Sequence, residues 1–150
     1  MFDWWPTDTA VSFRTTAGDP SRMTDLILDV DGRELHASWT GENPETRREV
    51  SAALPVEGDA TRWGDELYFS VPVDVTPSDT REDVPVGAVA YWPAGNALCL
   101  FWGATPASHG DEPRAAGPVA VVGEIDDVGP LADLEGGAHV TVSSADAEQS

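Results

Sequence analysis

GAVAYWPAGNALCLFWGATPASHG, residues 87–110, holds no Asp, Glu, Lys or Arg, in a chain where such residues make up 23% of the whole. A span this free of charge belongs in a core or a membrane. Crossing a bilayer as a helix takes about 20 consecutive apolar residues. Pro93, Gly95, Asn96 and Gly103 interrupt this run, so it reads as core. Two short apolar segments, residues 86–91 and 97–102, flank Trp92-Pro93-Ala94-Gly95-Asn96. Proline pre-sets φ for a turn and glycine takes a left-handed position, which predicts a β-hairpin with Gly95 left-handed. Along its second strand Leu98, Leu100 and Trp102 share one face, and Ala97, Cys99 and Phe101 share the other. Both faces are apolar, so the strand must be covered on both sides. That suits the wall of a closed barrel with something packed outside it.

The rest of the sequence supplies strands to close such a barrel. Leu26, Leu28 and Val30 alternate before Asp31-Gly32, and Leu35, Ala37 and Trp39 alternate after it. Asp-Gly between such runs is a strong hairpin signal. Asn43-Pro44-Glu45 opens the one clear helix, with a capping residue type, proline in the first turn, an acid beside it and Pro55 to stop it. Thr46, Val50, Ala53 and Leu54 form its apolar stripe, leaving Arg47, Arg48 and Glu49 to solvent. Residues 63–75 read as a further strand region, with Leu67, Phe69, Val71 and Val73 on one face and Pro72 marking an edge or an end. Residues 76–85 and 104–117 read as long loops, 119–125 as a strand, 130–134 as a short helical turn and 138–143 as a last strand. The expected fold is mainly β, a closed barrel of about eight strands with one major α-helix packed on it. Residues 1–22 show no sustained period and read as an N-terminal extension whose Phe2, Trp4 and Trp5 would seek cover on the barrel or in a groove. Residues 23–143 form the domain, and 144–150 a disordered tail.

At 150 residues the chain fits one domain with an adequate core. Its 27 acidic residues face 8 basic ones, all arginine, for a net charge of −19. Such a charge repels phosphate backbones and anionic lipid surfaces, so neither nucleic acid nor membrane is an expected partner. The acid is spread along the whole chain and lysine is absent, which points to a halophilic type of protein whose self-repulsion is screened by concentrated salt. One cysteine, Cys99, excludes an intramolecular disulfide, and the first residues lack the basic and apolar regions of a secretory signal. A cytoplasmic location is expected.

The run Gly87, Tyr91-Trp92-Pro93, Gly95, Ala97-Leu98-Cys99, Phe101, Gly103 and Thr105-Pro106 follows Trp63-Gly64 and Glu66-Leu67-Tyr68-Phe69-Ser70-Val71-Pro72-Val73. Together these two motifs resemble the small cyclophilin-like proteins of bacteria and archaea, a largely uncharacterised family, over residues 24–143. The resemblance implies a cyclophilin-like barrel. In the cyclophilins proper, an arginine beside an apolar proline pocket assists peptidyl-prolyl isomerisation by contacting the amide nitrogen as it loses conjugation; the uncatalysed barrier is about 18–20 kcal/mol. The Phe-His-Arg stretch of that family is missing here. Arg62, in a strand-like aromatic setting, is the residue to which isomerase chemistry would fall.

Other constellations carry less. His36, His109 and His139 lie far apart with no partner at ligand spacing, so no metal is expected, and no cofactor. Cys99 sits between leucines, where a raised rather than a lowered pKa is expected. Ser108-His109 is not a triad, no glycine pattern cradles a phosphate, and the acid pairs Asp65-Glu66 and Asp126-Asp127 read as solvated surface. The aromatic residues Trp63, Tyr68, Phe69, Tyr91, Trp92, Phe101 and Trp102 fall in the two adjoining motifs, and alternation turns some of them away from the core. The expected site is therefore a shallow groove bordered by Trp63, Tyr91 and Trp92, with Arg62 and Glu66 as its polar groups and the 104–117 loop beside it. A binding module for a peptide or small ligand is the leading reading. A weak prolyl isomerase and an assembly protein without a pocket are the alternatives.

The charge makes a testable claim. With −19 distributed along the chain and a Debye length of about 3 Å at 1 M salt, the thermal midpoint is expected to rise steeply with KCl up to molar concentrations. A midpoint that does not move between low and molar salt contradicts the halophilic reading.

Overall fold

The computed structural model describes residues 24–145. The expected N-terminal extension over 1–22 and the tail beyond Ala145 lie outside these residues. Within them, β1 (Leu26–Val30) and β2 (Arg33–Trp39) precede helix α1 (Pro44–Ala53). Then come β3 (Val56–Arg62), β4 (Glu66–Ser70), β5 (Arg81–Asp83), β6 (Ala88–Trp92) and β7 (Ala97–Phe101). The long strand β8 (Arg114–Ile125), a short helix α2 (Gly129–Ala132) and β9 (Ala138–Ser144) complete the fold. Eight strands form a closed ring in the order β2-β1-β9-β3-β4-β7-β6-β8, with β8 pairing back to β2. All pairings are antiparallel, and β5 hangs on β8 outside the ring.

The sequence explains most of these elements. Val30 and Arg33 pair across Asp31-Gly32, whose φ values of 52° and 86° make the tight turn that a two-residue hairpin needs. In α1, Thr46 and Val50 are buried, and Ala53 and Leu54 pack partly against the core. Arg47 faces outward and lies over the Trp39 ring, 5.3 Å from its centroid. Asn43 does not cap the helix through its side chain; it donates instead to the Val121 carbonyl, 3.2 Å away.

Four expectations need correction. The hairpin between β6 and β7 turns through a 3-10 segment, Pro93–Gly95, and the left-handed residue is Asn96 (φ 47°), not Gly95. Asn96 holds that conformation while its amide donates to the Val73 carbonyl and the Tyr91 hydroxyl. The strand expected over 63–75 ends at Ser70, after which Val71 and Val73 bury their side chains without a strand, consistent with the missing donor of Pro72. Each presumed long loop gives up part of itself to strand, 76–85 to β5 and 104–117 to the start of β8. β9 also reaches Ser144, the first residue that the sequence assigns to the tail.

Burial follows alternation around the ring. Leu26, Leu28, Leu35, Ala60, Leu67, Phe69, Val89, Tyr91, Leu98, Leu100, Val122, Val140 and Val142 form one continuous cluster drawn from all eight strands, which places it inside the ring. Val50 of α1 and Leu131 of α2 join it. The opposite parity of β6 and β7 builds a second cluster outside, where Ala88, Ala90, Cys99 and Phe101 pack with Val84, Ala115, Val119 and Val121. Both faces of β7 are therefore covered, as its composition demands.

Tyr91 is fully buried, and its hydroxyl donates to the Val73 carbonyl at 2.7 Å. Replacing it with phenylalanine removes that bond and leaves the Asn96 amide one acceptor short, so Tyr91→Phe is expected to cost about 1 kcal/mol in chemical denaturation. A cost near zero would mean that the hydroxyl meets water.

Candidate functional site

The outer cluster is incomplete at one end, and there a cavity of ≈ 210 Å³ opens. Register builds its floor. Tyr68 pairs across to Cys99, and Glu66 precedes Tyr68 by two on the same face of β4. Trp92 at the end of β6 and Val119 of β8 form one side, with Ala115 and Ala116 from the first half of β8. Trp63 comes from the β3–β4 turn, where its N–H donates to the Glu66 carbonyl (2.9 Å) across Gly64-Asp65. Gly64 has φ +63°, and a Cβ there would lie 2.7 Å from Thr105 Cα, so only glycine lets this turn press against the following loop. The Tyr68 and Trp92 rings meet edge to face, 6.2 Å apart at 79°.

The polar element of this cavity is Glu66. It is 5% exposed, and its Oε1 has no hydrogen-bond partner. It therefore departs from the solvated surface expected of Asp65-Glu66; Asp65 alone keeps that role and pairs with Arg62. Burial drives the Glu66 carboxyl up from 4.5 to about 7, and a hydrogen bond with the Cys99 thiol offsets this only partly. The same burial, with Glu66 beside it, pushes the Cys99 thiol well above its ordinary value. Cys99 is thus a protonated partner to the acid rather than a nucleophile, in line with its leucine neighbours.

Of the five residues expected at the groove, Trp63, Glu66 and Trp92 come together around the cavity. Tyr91 does not. It has the opposite parity to Trp92, faces into the ring, and has its hydroxyl bonded there. Arg62 does not line the cavity either. Its guanidinium donates to the carbonyls of Gly64 (2.7 Å) and Leu134 (2.5 Å) and to Asp65 Oδ1 (3.0 Å), and lies over the Trp102 ring. Tyr68 and Cys99 were missing from the expected set, although parity with Glu66 and Phe101 marks them. Ala115, Ala116 and Val119 carry no local signal, because their place depends on how β8 docks.

The segment leading into β8 is held by its own polar groups. The Ser108 hydroxyl donates to the Glu112 carbonyl and the Thr105 hydroxyl to that of Arg114. The Glu112 carboxylate accepts from the N–H groups of His109 and Gly110, both at 2.8 Å, which with Arg114 holds it down at about 2. Ser108 is therefore a structural clasp. Among the described residues no group of three or more His, Cys, Asp or Glu is placed to hold a metal ion, and no helix is long and apolar enough to cross a membrane.

Comparison with known families agrees with this architecture. The family described as Cyclophilin-like matches residues 24–143. This chain belongs to the cyclophilin-like family. Among solved structures, this cyclophilin-like chain is similar to the solution structure of a hypothetical protein from Archaeoglobus fulgidus. The two share 36% identity and a TM-score of 0.68 over 81% of this chain and 95% of that one. Comparison with curated proteins gives no match.

The buried acid fixes a sign for pH dependence. The folded state holds the Glu66 proton up to about 7, whereas the unfolded chain loses it near 4.5. Between those values the folded state binds more protons, so stability falls as pH rises, by about 3 kcal/mol in total. His139, raised by the Asp59 and Glu57 carboxylates, acts in the same direction. The contribution of Glu66 is therefore the difference between wild type and Glu66→Gln in denaturant melts from pH 5 to 8. The variant is expected to lose less stability over that range; identical slopes contradict the assignment.

Proposed function

We propose that this cyclophilin-like domain is a binding module that takes a small ligand, or one side chain of a peptide, in the cavity between Trp63, Glu66, Tyr68 and Trp92. The observation that carries this reading is the combination of three aromatic side chains with one buried, incompletely bonded acid around a single concavity. Ligand sites commonly pair an apolar lining with a few placed polar groups. At ≈ 210 Å³ the cavity is smaller than the roughly 300–1,000 Å³ of drug-sized sites, which favours a small molecule or one side chain over an extended segment. Prolyl isomerisation is less well supported. That role asks for an arginine free beside the pocket, and the donors of Arg62 are held by Gly64, Asp65 and Leu134.

The test separates cavity from core. Titration of isotopically labelled protein with a Xaa-Pro peptide and with small apolar probes is expected to shift the indole signals of Trp63 and Trp92 before others. Trp92, only partly buried, is expected to tolerate alanine with a modest loss of stability while losing that response. Phe101→Ala, in the filled part of the outer cluster, is expected to cost about 3–5 kcal/mol. If Trp92→Ala is as destructive as Phe101→Ala, the aromatic group is simply packing and the binding reading fails.

A further inference from the structure

The chemistry of the occupant follows from what surrounds the cavity. Four tryptophans lie among the described residues. Two are already covered by a cation, Trp39 by Arg47 and Trp102 by Arg62, each with its guanidinium carbon 5.3 Å from the ring centroid. Among the described residues no arginine lies over Trp63 or Trp92, the two that line the cavity. Tyr68 stands nearly perpendicular to Trp92, so the rings form adjacent walls rather than a stack. Such ring faces attract cations, tryptophan most strongly, and quaternary ammonium groups are the ligands that aromatic cages of this type receive. No lining residue is basic, and the single acid is 5% exposed with an oxygen that has no partner. The chain around it carries a net charge of −19, which raises the local concentration of any cation.

We propose that the cavity receives a small alkylammonium head group, with Trp63, Tyr68 and Trp92 as its ring walls and Glu66 as its counter-ion. This rests on the binding reading above and names the ligand class for the same site. Desolvation raises the Glu66 carboxyl to about 7, so below that pH it carries its proton. An entering cation favours the carboxylate, so below that midpoint the Glu66 O–H bond breaks, the proton passes to solvent and up to one proton leaves for each cation bound, falling to none above it. The other groups facing Glu66 do not compete. Cys99 on β7 keeps its proton, the Tyr68 phenol is on the same strand, and the cavity-lining residues of β8 are Ala115, Ala116 and Val119. On the adjoining turn Arg62 and Asp65 pair with each other, and Arg114 pairs with Glu82 and Glu112.

The experiment titrates labelled full-length protein, at one fixed high KCl concentration, with choline and with its neutral carbon isostere dimethylbutanol. The readouts are the Trp63 and Trp92 indole signals between pH 5 and 8.5. The expected result is that choline binds at least tenfold more tightly than the isostere, with affinity rising about tenfold per pH unit below the Glu66 midpoint and levelling above it. Glu66→Gln, checked for an unchanged fold, is expected to abolish both the pH dependence and the preference for the cation. A trimethyllysine peptide run in parallel distinguishes a free ion from a modified side chain as the source of the head group; tighter binding of either supports the proposal. Equal affinities for choline and its isostere, or affinity that falls as pH rises, overturns the cation while leaving the cavity as a binding site. No response of either indole to any probe overturns both readings.

Discussion

Strand β7 must bury both of its faces, and the rest of the molecule is arranged to let it. Every residue from Ala97 to Phe101 is buried. Leu98 and Leu100 are satisfied by closing eight strands into a ring, so that all inward positions meet in one cluster. Cys99 and Phe101 need a second layer, and β8 provides it by running past the ring for half its length and pairing there with β5. Phe101 is sealed completely by that layer, whereas the cover over Cys99 stops short. The cavity is the unfilled part of the outer layer, so the requirement that shapes the fold also locates the site.

Local signals were enough for the elements whose partners are their neighbours in sequence. The Asp31-Gly32 hairpin, the proline-bounded helix and the β6–β7 hairpin lie where turn chemistry and periodicity place them. Strand β3 was hidden because its inward positions read Val56, Gly58 and Ala60, too weak a pattern to register as alternation. The reason is long-range. A Cβ at Gly58 would stand 3.3 Å from the Phe69 ring, so the ring of β4 supplies the bulk that β3 omits. The left-handed residue of the central turn went to Asn96 rather than Gly95 because a Cβ on Gly95 would fall 2.6 Å from the Trp92 ring. Glycine is needed there for space, and asparagine takes the unusual φ with its amide bonded.

The site divides in the same way. Trp63, Glu66 and Trp92 were legible from motif and parity, and strict alternation would have removed Tyr91 and added Tyr68 and Cys99. What no local pattern could supply was the burial of Glu66. In a chain with 27 acidic residues, the prior for any one of them is solvent. Only the docking of β8 over β4 and β7 encloses this one, beside a thiol that shares its desolvation. An acid kept neutral by its surroundings is a common mark of functional sites, and here it is the polar feature of an otherwise apolar, aromatic-lined cavity.

The account turns on the protonation state of one carboxyl group, which can be read directly. Carbon NMR of glutamate-labelled protein, with Glu66→Gln to assign the signal, gives the titration of Glu66 in the folded state. The account predicts a midpoint close to 7 for the ligand-free protein; a midpoint near the ordinary 4.5 would mean that Glu66 is solvated and would contradict it.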